Sequence, residues 1–346
     1  MDLGYFNARI KGFKGRLLRW PEYEVLFSQT DMDSLVERLR ATDYRKEIEV
    51  ASAIFKEGTA LVSEALRMNM LQTFGAVWSV CPEAGRPYLN ALFSIWEVFN
   101  LKTLVRGIDK GGVGREGLMD MLMPVAGLDR SALRELNRSR DMAELIRTLA
   151  TWGSPYAVVL KNKLRGYLKN KNTYAMEMSL DQEGFKVLDG LPRREPDWSA
   201  VRGFFSMRAD AVNIMTLVKT SGEGFSPQEI AGFFIDGGKA LTKKSFLAAA
   251  KKNTRDEVLM ALADTVMGVR LRHMLFSVDR PGLFEKALDT WMAKEMLRFS
   301  IAEPLCIALV FAYVYMKVRE IKNLRLILRA KAFGIPSDEL KDMLAV

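Results

Sequence analysis

The chain has 346 residues, a formal net charge of +9, 49% hydrophobic and 27% charged residues. This excludes a disordered or fibrous chain and leaves room for two or three folded domains with sizeable cores. A pI near 9.4 favours anionic partners such as nucleic acid, lipid or acidic protein without choosing among them, and the positive residues are spread through the chain.

Two cysteines, Cys81 and Cys306, are too few and too far apart in sequence for a disulfide framework, which points to a reducing compartment. The opening Met-Asp-Leu-Gly-Tyr has neither the basic nor the apolar part of a secretory signal. The longest uncharged runs, 68–82 and 304–316, fall short of the roughly 20 apolar residues of a membrane span. Any membrane association is therefore expected to be peripheral.

In chain order, residues 5–18 read as a helix, with Ile10, Phe13 and Leu17 on one face. A second helix is expected over 32–44, capped by Asp31 or Asp33. Helical spacing of apolar residues continues over 50–71, 88–106, 157–168 and 255–276, while alternating runs are scarce. The fold class is accordingly all-α.

Two elements recur. Leu35-x-x-x-Leu39 returns as Leu145-x-x-x-Leu149 and as Val258-x-x-x-Leu262, with steps of 110 residues from Leu35 to Leu145 and 113 from Leu145 to Val258. Glu97-Val-Phe-Asn100-Leu-Lys-Thr-Leu-Val-Arg106 returns as Asp210-Ala-Val-Asn213-Ile-Met-Thr-Leu-Val-Lys219 and as Glu320-Ile-Lys-Asn323-Leu-Arg-Leu-Ile-Leu-Arg329. Asn100 to Asn213 is 113 residues, and Asn213 to Asn323 is 110. Two independent elements with nearly one period define three similar helical domains of about 110 residues, over 1–110, 111–223 and 224–346. Glycines close each motif helix, at Gly107 and Gly111, Gly222 and Gly224, and Gly334, where a left-handed residue caps the last carbonyls.

Within each motif the acid and the asparagine share a helical face, as Glu97 with Asn100, Asp210 with Asn213 and Glu320 with Asn323. Such a pair can satisfy the backbone of a neighbouring loop or hold a basic side chain, so these six residues are expected to be clamps between repeats. A metal or paired-carboxylate site would need them to converge with other hard ligands, and no such set accompanies them. On the last helix Lys322, Arg325 and Arg329 form a basic face opposite Val314, Val318, Ile321, Leu324 and Leu328, a candidate interaction surface.

Other motifs fail on their chemistry. Gly112-x-Gly114-x-x-Gly117 matches the dinucleotide fingerprint in letters but follows a helix instead of a strand. Gly237-Gly238-Lys239-Ala240 lacks the hydroxyl residue and glycine spacing of a phosphate loop and reads as a turn. His273, the only histidine, has no second ligand or nucleophile beside it. The methionines of 119–123 suit a gap-filling core. No catalytic residue, cofactor or metal is expected.

Tyr5-Phe-Asn-Ala-Arg9-Ile, Phe233-Phe-Ile-Asp-Gly237-Gly238 and Glu303-Pro-Leu…Ala312-Tyr313…Arg319-Glu320-Ile-Lys-Asn323…Phe333-Gly-Ile-Pro336 together resemble the C subunit of the V/A-type rotary ATPases, related to the d subunit of the eukaryotic V-ATPases. The resemblance spans essentially the full length and is strongest over 304–336; it departs in the second copy, where Met215 replaces the usual basic residue. It implies an all-helical funnel of three domains about a pseudo-threefold axis, a monomer within a hetero-oligomeric complex. The implied place is the cytoplasmic face of the membrane, on the proteolipid rotor ring, with the stator membrane subunit as a further candidate partner. Its opening would receive the central-stalk shaft made of the D and F subunits, so that the chain couples ATP synthesis or hydrolysis to ion transport without catalysing either. The competing reading is a basic helical-repeat module that binds nucleic acid, with affinity falling steeply in salt.

Overall fold

The computed structural model describes residues 3–56, 58–111, 115–125, 127–263, 281–335 and 344. Among them the regular structure is helical, and the one extended pairing is an isolated bridge between Val125 and Leu128. Side-chain N-caps start several of these helices.

Three pairs of short helices follow one plan: Trp20–Phe27 with Met32–Arg40, Arg130–Asn137 with Met142–Thr151, and Lys243–Ala249 with Arg255–Ala263. In each pair the second helix starts at a side-chain cap. Asp31 accepts from the Ser34 N–H at 2.8 Å, Asp141 from Glu144 at 2.8 Å, and Thr254 from Glu257 at 3.3 Å. Each cap satisfies an N–H that the helix itself leaves without a partner. The recurring apolar pairs, Leu35 with Leu39, Leu145 with Leu149 and Val258 with Leu262, are all buried one turn apart.

Among the described residues five helices are long: Gly58–Val80, Arg86–Asp109, Asp197–Thr220, Pro281–Ala302 and Ala308–Phe333. The last begins with an apolar stretch, Ala308 to Val314, that is buried without interruption. A helix apolar on every side is stable only when surrounded by protein, which explains the weak amphipathic pattern of this part of the chain. No helix among the described residues is long and apolar enough to cross a membrane.

Glycine with positive φ closes all three motif helices: Gly334 at 67° caps the third, and Gly222 at 78° and Gly111 at 71° stand two residues past the ends of the second and the first. Gly107 differs from its expected role: the first motif helix runs through it to Asp109. Its reason is packing, since a Cβ there would stand 2.6 Å from Leu118 Cδ2. The expected helix over 32–44 stops at Arg40, and a new one, Arg45–Ser52, follows a turn. His273 and the loop glycines Gly112 and Gly114 lie outside the described residues.

The chain forms two compact units, one of Met1–Leu89 with Asp289–Val346 and one of Asn90–Leu288. In the first, the last helix packs on Gly58–Val80 and on the N-terminal helix Leu3–Lys14. In the second, Val98, Leu101, Leu104 and Val105 of the first motif helix share a core with Leu133, Leu145, Leu160 and Leu180. Compactness thus divides the chain differently from sequence repetition, because each motif helix binds residues that belong to another repeat. Both cysteines are buried.

Candidate functional site

The six motif residues do not converge on one point; the first two pairs each take hold of a different stretch of backbone, and the third holds residues near the start of the chain. Asn100 is fully buried and makes both hydrogen bonds of an amide to one residue. Its Nδ2 donates to the Met123 carbonyl at 2.6 Å, and its Oδ1 accepts from the Met123 N–H at 2.8 Å. Asn213 treats Ile235 the same way, at 2.8 Å in both directions. Only an amide offers a donor and an acceptor side by side with this reach, which explains the repeated residue type. Asn100→Ala should lower the unfolding free energy by about 2 kcal/mol by orphaning two buried backbone groups, as read from urea denaturation.

The acids lie one turn before the asparagines and accept from the same loops. Glu97 Oε1 takes the Gly127 N–H at 2.8 Å. Asp210 takes three: Lys239 at 3.0 Å and Ala240 at 2.9 Å on one oxygen, Leu241 at 2.9 Å on the other. Gly237, with φ of 96°, turns the loop so that these three amides face inward, and the absent side chain of Gly238 leaves the room that Asp210 fills. The double glycine is therefore the seat of a carboxylate from its own chain.

Burial raises the pKa of both Glu97 and Asp210 above their ordinary values, against the opposing pull of the backbone N–H bonds. An acid with a raised folded-state pKa gives its stability below the unfolded value, and loses it as pH rises through the folded one. The stability advantage of the parent over Glu97→Gln should accordingly shrink as pH rises from about 4 towards neutrality, which urea midpoints at the two ends would measure.

The third pair has a different kind of partner. Glu320 accepts the Leu18 N–H at 2.5 Å and the Tyr44 hydroxyl at 2.6 Å. Lys317 donates to the same carboxylate at 2.6 Å and to the Tyr44 oxygen at 2.9 Å, with its ammonium 4.4 Å from the centre of the Tyr44 ring. Both members of this ion pair are buried, at 5% and 3% side-chain exposure. Burial, and then the Glu320 charge, hold the Tyr44 hydroxyl neutral, well above the usual phenol range. Asn323 hydrogen-bonds to Tyr23. Where the first two helices grip the loops that follow them, the third grips the start of the chain. Asn7 adds to this closure, donating to the carbonyls of Pro304 at 2.8 Å and Cys306 at 3.1 Å, and Lys331 donates to those of Phe27 and Gln29.

On the basic face of the last helix, Lys322 pairs with Asp289 at 3.1 Å, Arg325 is half-buried and Arg329 is exposed. Sequence reasoning missed a second set of contacts on the first motif helix. Lys102 reaches Asp181 at 2.6 Å, and Arg106 makes a two-point contact with Glu177, with Nε at 2.8 Å from Oε1. Both pairs repeat at i and i+4, so the matching rows were available as a signal. Among the described residues no three of His, Cys, Asp and Glu are grouped to hold a metal ion.

This chemistry is that of a fastened framework, in which every acid of the motif is committed to backbone or to an internal cation. The family model described as ATP synthase (C/AC39) subunit matches residues 6–343. Among curated relatives, the C subunit of the A-type ATP synthase of Methanocaldococcus jannaschii is 23% identical over 346 residues, covering 98% of this chain and 85% of that protein. The corresponding C subunit of Archaeoglobus fulgidus is 25% identical, covering 99% of this chain and 96% of its own. That of Desulfurococcus sp. strain SY is 24% identical, with 98% and 89% covered. A match of this extent, on a scaffold whose described regular structure is helical, places the chain in the C-subunit family of the V/A-type ATPases.

Proposed function

We propose that the chain is a non-catalytic central-stalk subunit of a V/A-type ATPase, a socket that joins the rotating shaft of the D and F subunits to the membrane proteolipid ring. The observation that carries this reading is the match to the ATP synthase (C/AC39) subunit family across residues 6–343. The geometry supports it through the clamps: each of the three motif helices commits buried polar groups to a segment from outside its own repeat. A part that passes torque must resist shear between its pieces, and interlocked repeats provide that resistance.

On this reading the three helical domains, 1–110, 111–223 and 224–346, surround a pseudo-threefold axis, and Glu97, Asn100, Asp210, Asn213, Glu320 and Asn323 serve as the fasteners between them. Lys322, Arg325 and Arg329 belong to a contact surface for a neighbouring subunit. The protein sits peripherally on the cytoplasmic face of the membrane. Affinity recovery of the tagged chain from its source in gentle detergent should bring down the ATPase head and the proteolipid ring. Recovery of a stable chain free of both would reject the assignment.

A further inference from the structure

The helix Pro155–Asn170 carries an exposed face that the clamp framework does not use. It is held on its other side by Met142–Thr151 and Tyr174–Phe185, through buried Tyr156, Leu160 and Tyr167. Val158, Lys161, Asn162, Arg165, Leu168 and Lys169 share the outer face, and all are exposed. Lys163 stands beside the stripe, and Lys171 caps the helix end in the left-handed conformation. The sequence from Pro155 to Thr173 contains no acidic residue. Among the described residues no carboxylate pairs with Lys161, Lys163, Arg165 or Lys169.

Lys161, Arg165 and Lys169 follow one another at i, i+4 and i+8, so the row repels itself along the helix. An outside anion would relieve that repulsion, which the protein's own acids leave in place. The counterpart one repeat earlier, Arg45–Ser52, is half as long and relieves its charge internally, since Arg45 pairs with Glu49 at 2.8 Å. The stripe is therefore a feature of the second copy and not a requirement of the shared scaffold.

We infer that this face rests on an anionic lipid surface, with the cations against phosphate headgroups. The inference depends on the proposed function, in which the chain works beside a membrane. The order of residues along the stripe favours lipid over an acidic protein. Protein interfaces put apolar residues at the centre and charge at the rim. Here three cations over about 12 Å run through the middle of the face to its C-terminal end. Val158 at the start of the stripe and Leu168 between Arg165 and Lys169, 63% and 59% exposed, stand among these cations, where they can enter the headgroup layer.

The full-length chain should co-sediment with phosphatidylglycerol vesicles and not with phosphatidylcholine vesicles at about 0.1 M salt, and release as salt screens the contact. The triple variant K161Q/R165Q/K169Q should bind the anionic vesicles more than about tenfold more weakly, since each cation contributes several-fold. Its thermal midpoint should stay equal or rise, because the repulsive row is gone. Equal vesicle binding by parent and triple variant, or binding by neither, would overturn the inference. So would tighter retention on duplex DNA than on vesicles at matched phosphate. In affinity recovery from gentle detergent, loss of the complex by the parent chain rejects the functional reading. Intact recovery with no vesicle binding rejects the lipid surface alone.

Discussion

Glu320→Gln is expected to produce the largest loss of stability of any single change to a motif residue, about 3–5 kcal/mol in unfolding free energy. The carboxylate serves three partners at once: the Leu18 amide, the Tyr44 hydroxyl and the Lys317 ammonium. Glutamine keeps the shape but removes the charge, and leaves Lys317, itself 4% exposed, as an unmatched cation inside the protein. A buried ion pair adds little over a well-packed apolar pair, yet breaking one from a single side costs its full desolvation penalty. That asymmetry supplies the control. Lys317→Met combined with Glu320→Gln removes both charges and should be more stable than the sum of the single effects implies, by at least about 1 kcal/mol. Additive losses in urea titrations would show that the pair does not act as a unit.

Gly238→Ala is expected to cost about 3 kcal/mol or more, an unusual amount for one methyl group on a loop. The backbone at Gly238 itself would accept alanine, since the left-handed residue is its neighbour Gly237. The obstacle is Asp210: the new Cβ would overlap its Oδ1 and stand 2.9 Å from its Cγ. The carboxylate has no free rotamer to retreat into, because Lys239, Ala240 and Leu241 hold it by three amides. Displacing it orphans those amides, each at about 1–3 kcal/mol when buried. In an Asp210→Ala background, which has already lost the clamp, Gly238→Ala should be nearly neutral. A full-sized second loss in the double variant would mean that the glycine serves the loop and not the carboxylate.

The helical class and the motif positions were legible because they depend on residue type at fixed spacing. Asn100 and Asn213 stand at equivalent helix positions and grip equivalent loop residues, so their repetition in the sequence carried physical meaning. The partners were not legible, because a clamp on backbone leaves no signature in the residue it holds. Met123, Ile235 and Leu18 contribute only main-chain groups, and any residue except proline could offer the same N–H. Lys317 was hidden for another reason. A single lysine at the end of an apolar run reads as the solvent side of the helix, and its burial is decided by Glu320 one turn later and by Tyr44 from the other end of the chain. Gly107 shows the reverse error, in which a residue typical of helix ends serves close packing inside one.

The closure between the first and last segments also bears on how the protein is made. Leu18 and Glu320 are 302 residues apart, and Asn7 waits for Pro304 and Cys306 across a similar span. At translation speeds of roughly 5–20 residues per second, the N-terminal helix emerges roughly 15–60 s before the helix that covers it exists. Its apolar side, Leu3, Phe6 and Ile10, is buried only in the finished protein and must be kept from other chains during that interval. The ribosome therefore releases the first-made segment well before its main partner, and a stall before Ala308 leaves it resting on Gly58–Val80 alone however well the middle of the chain has folded.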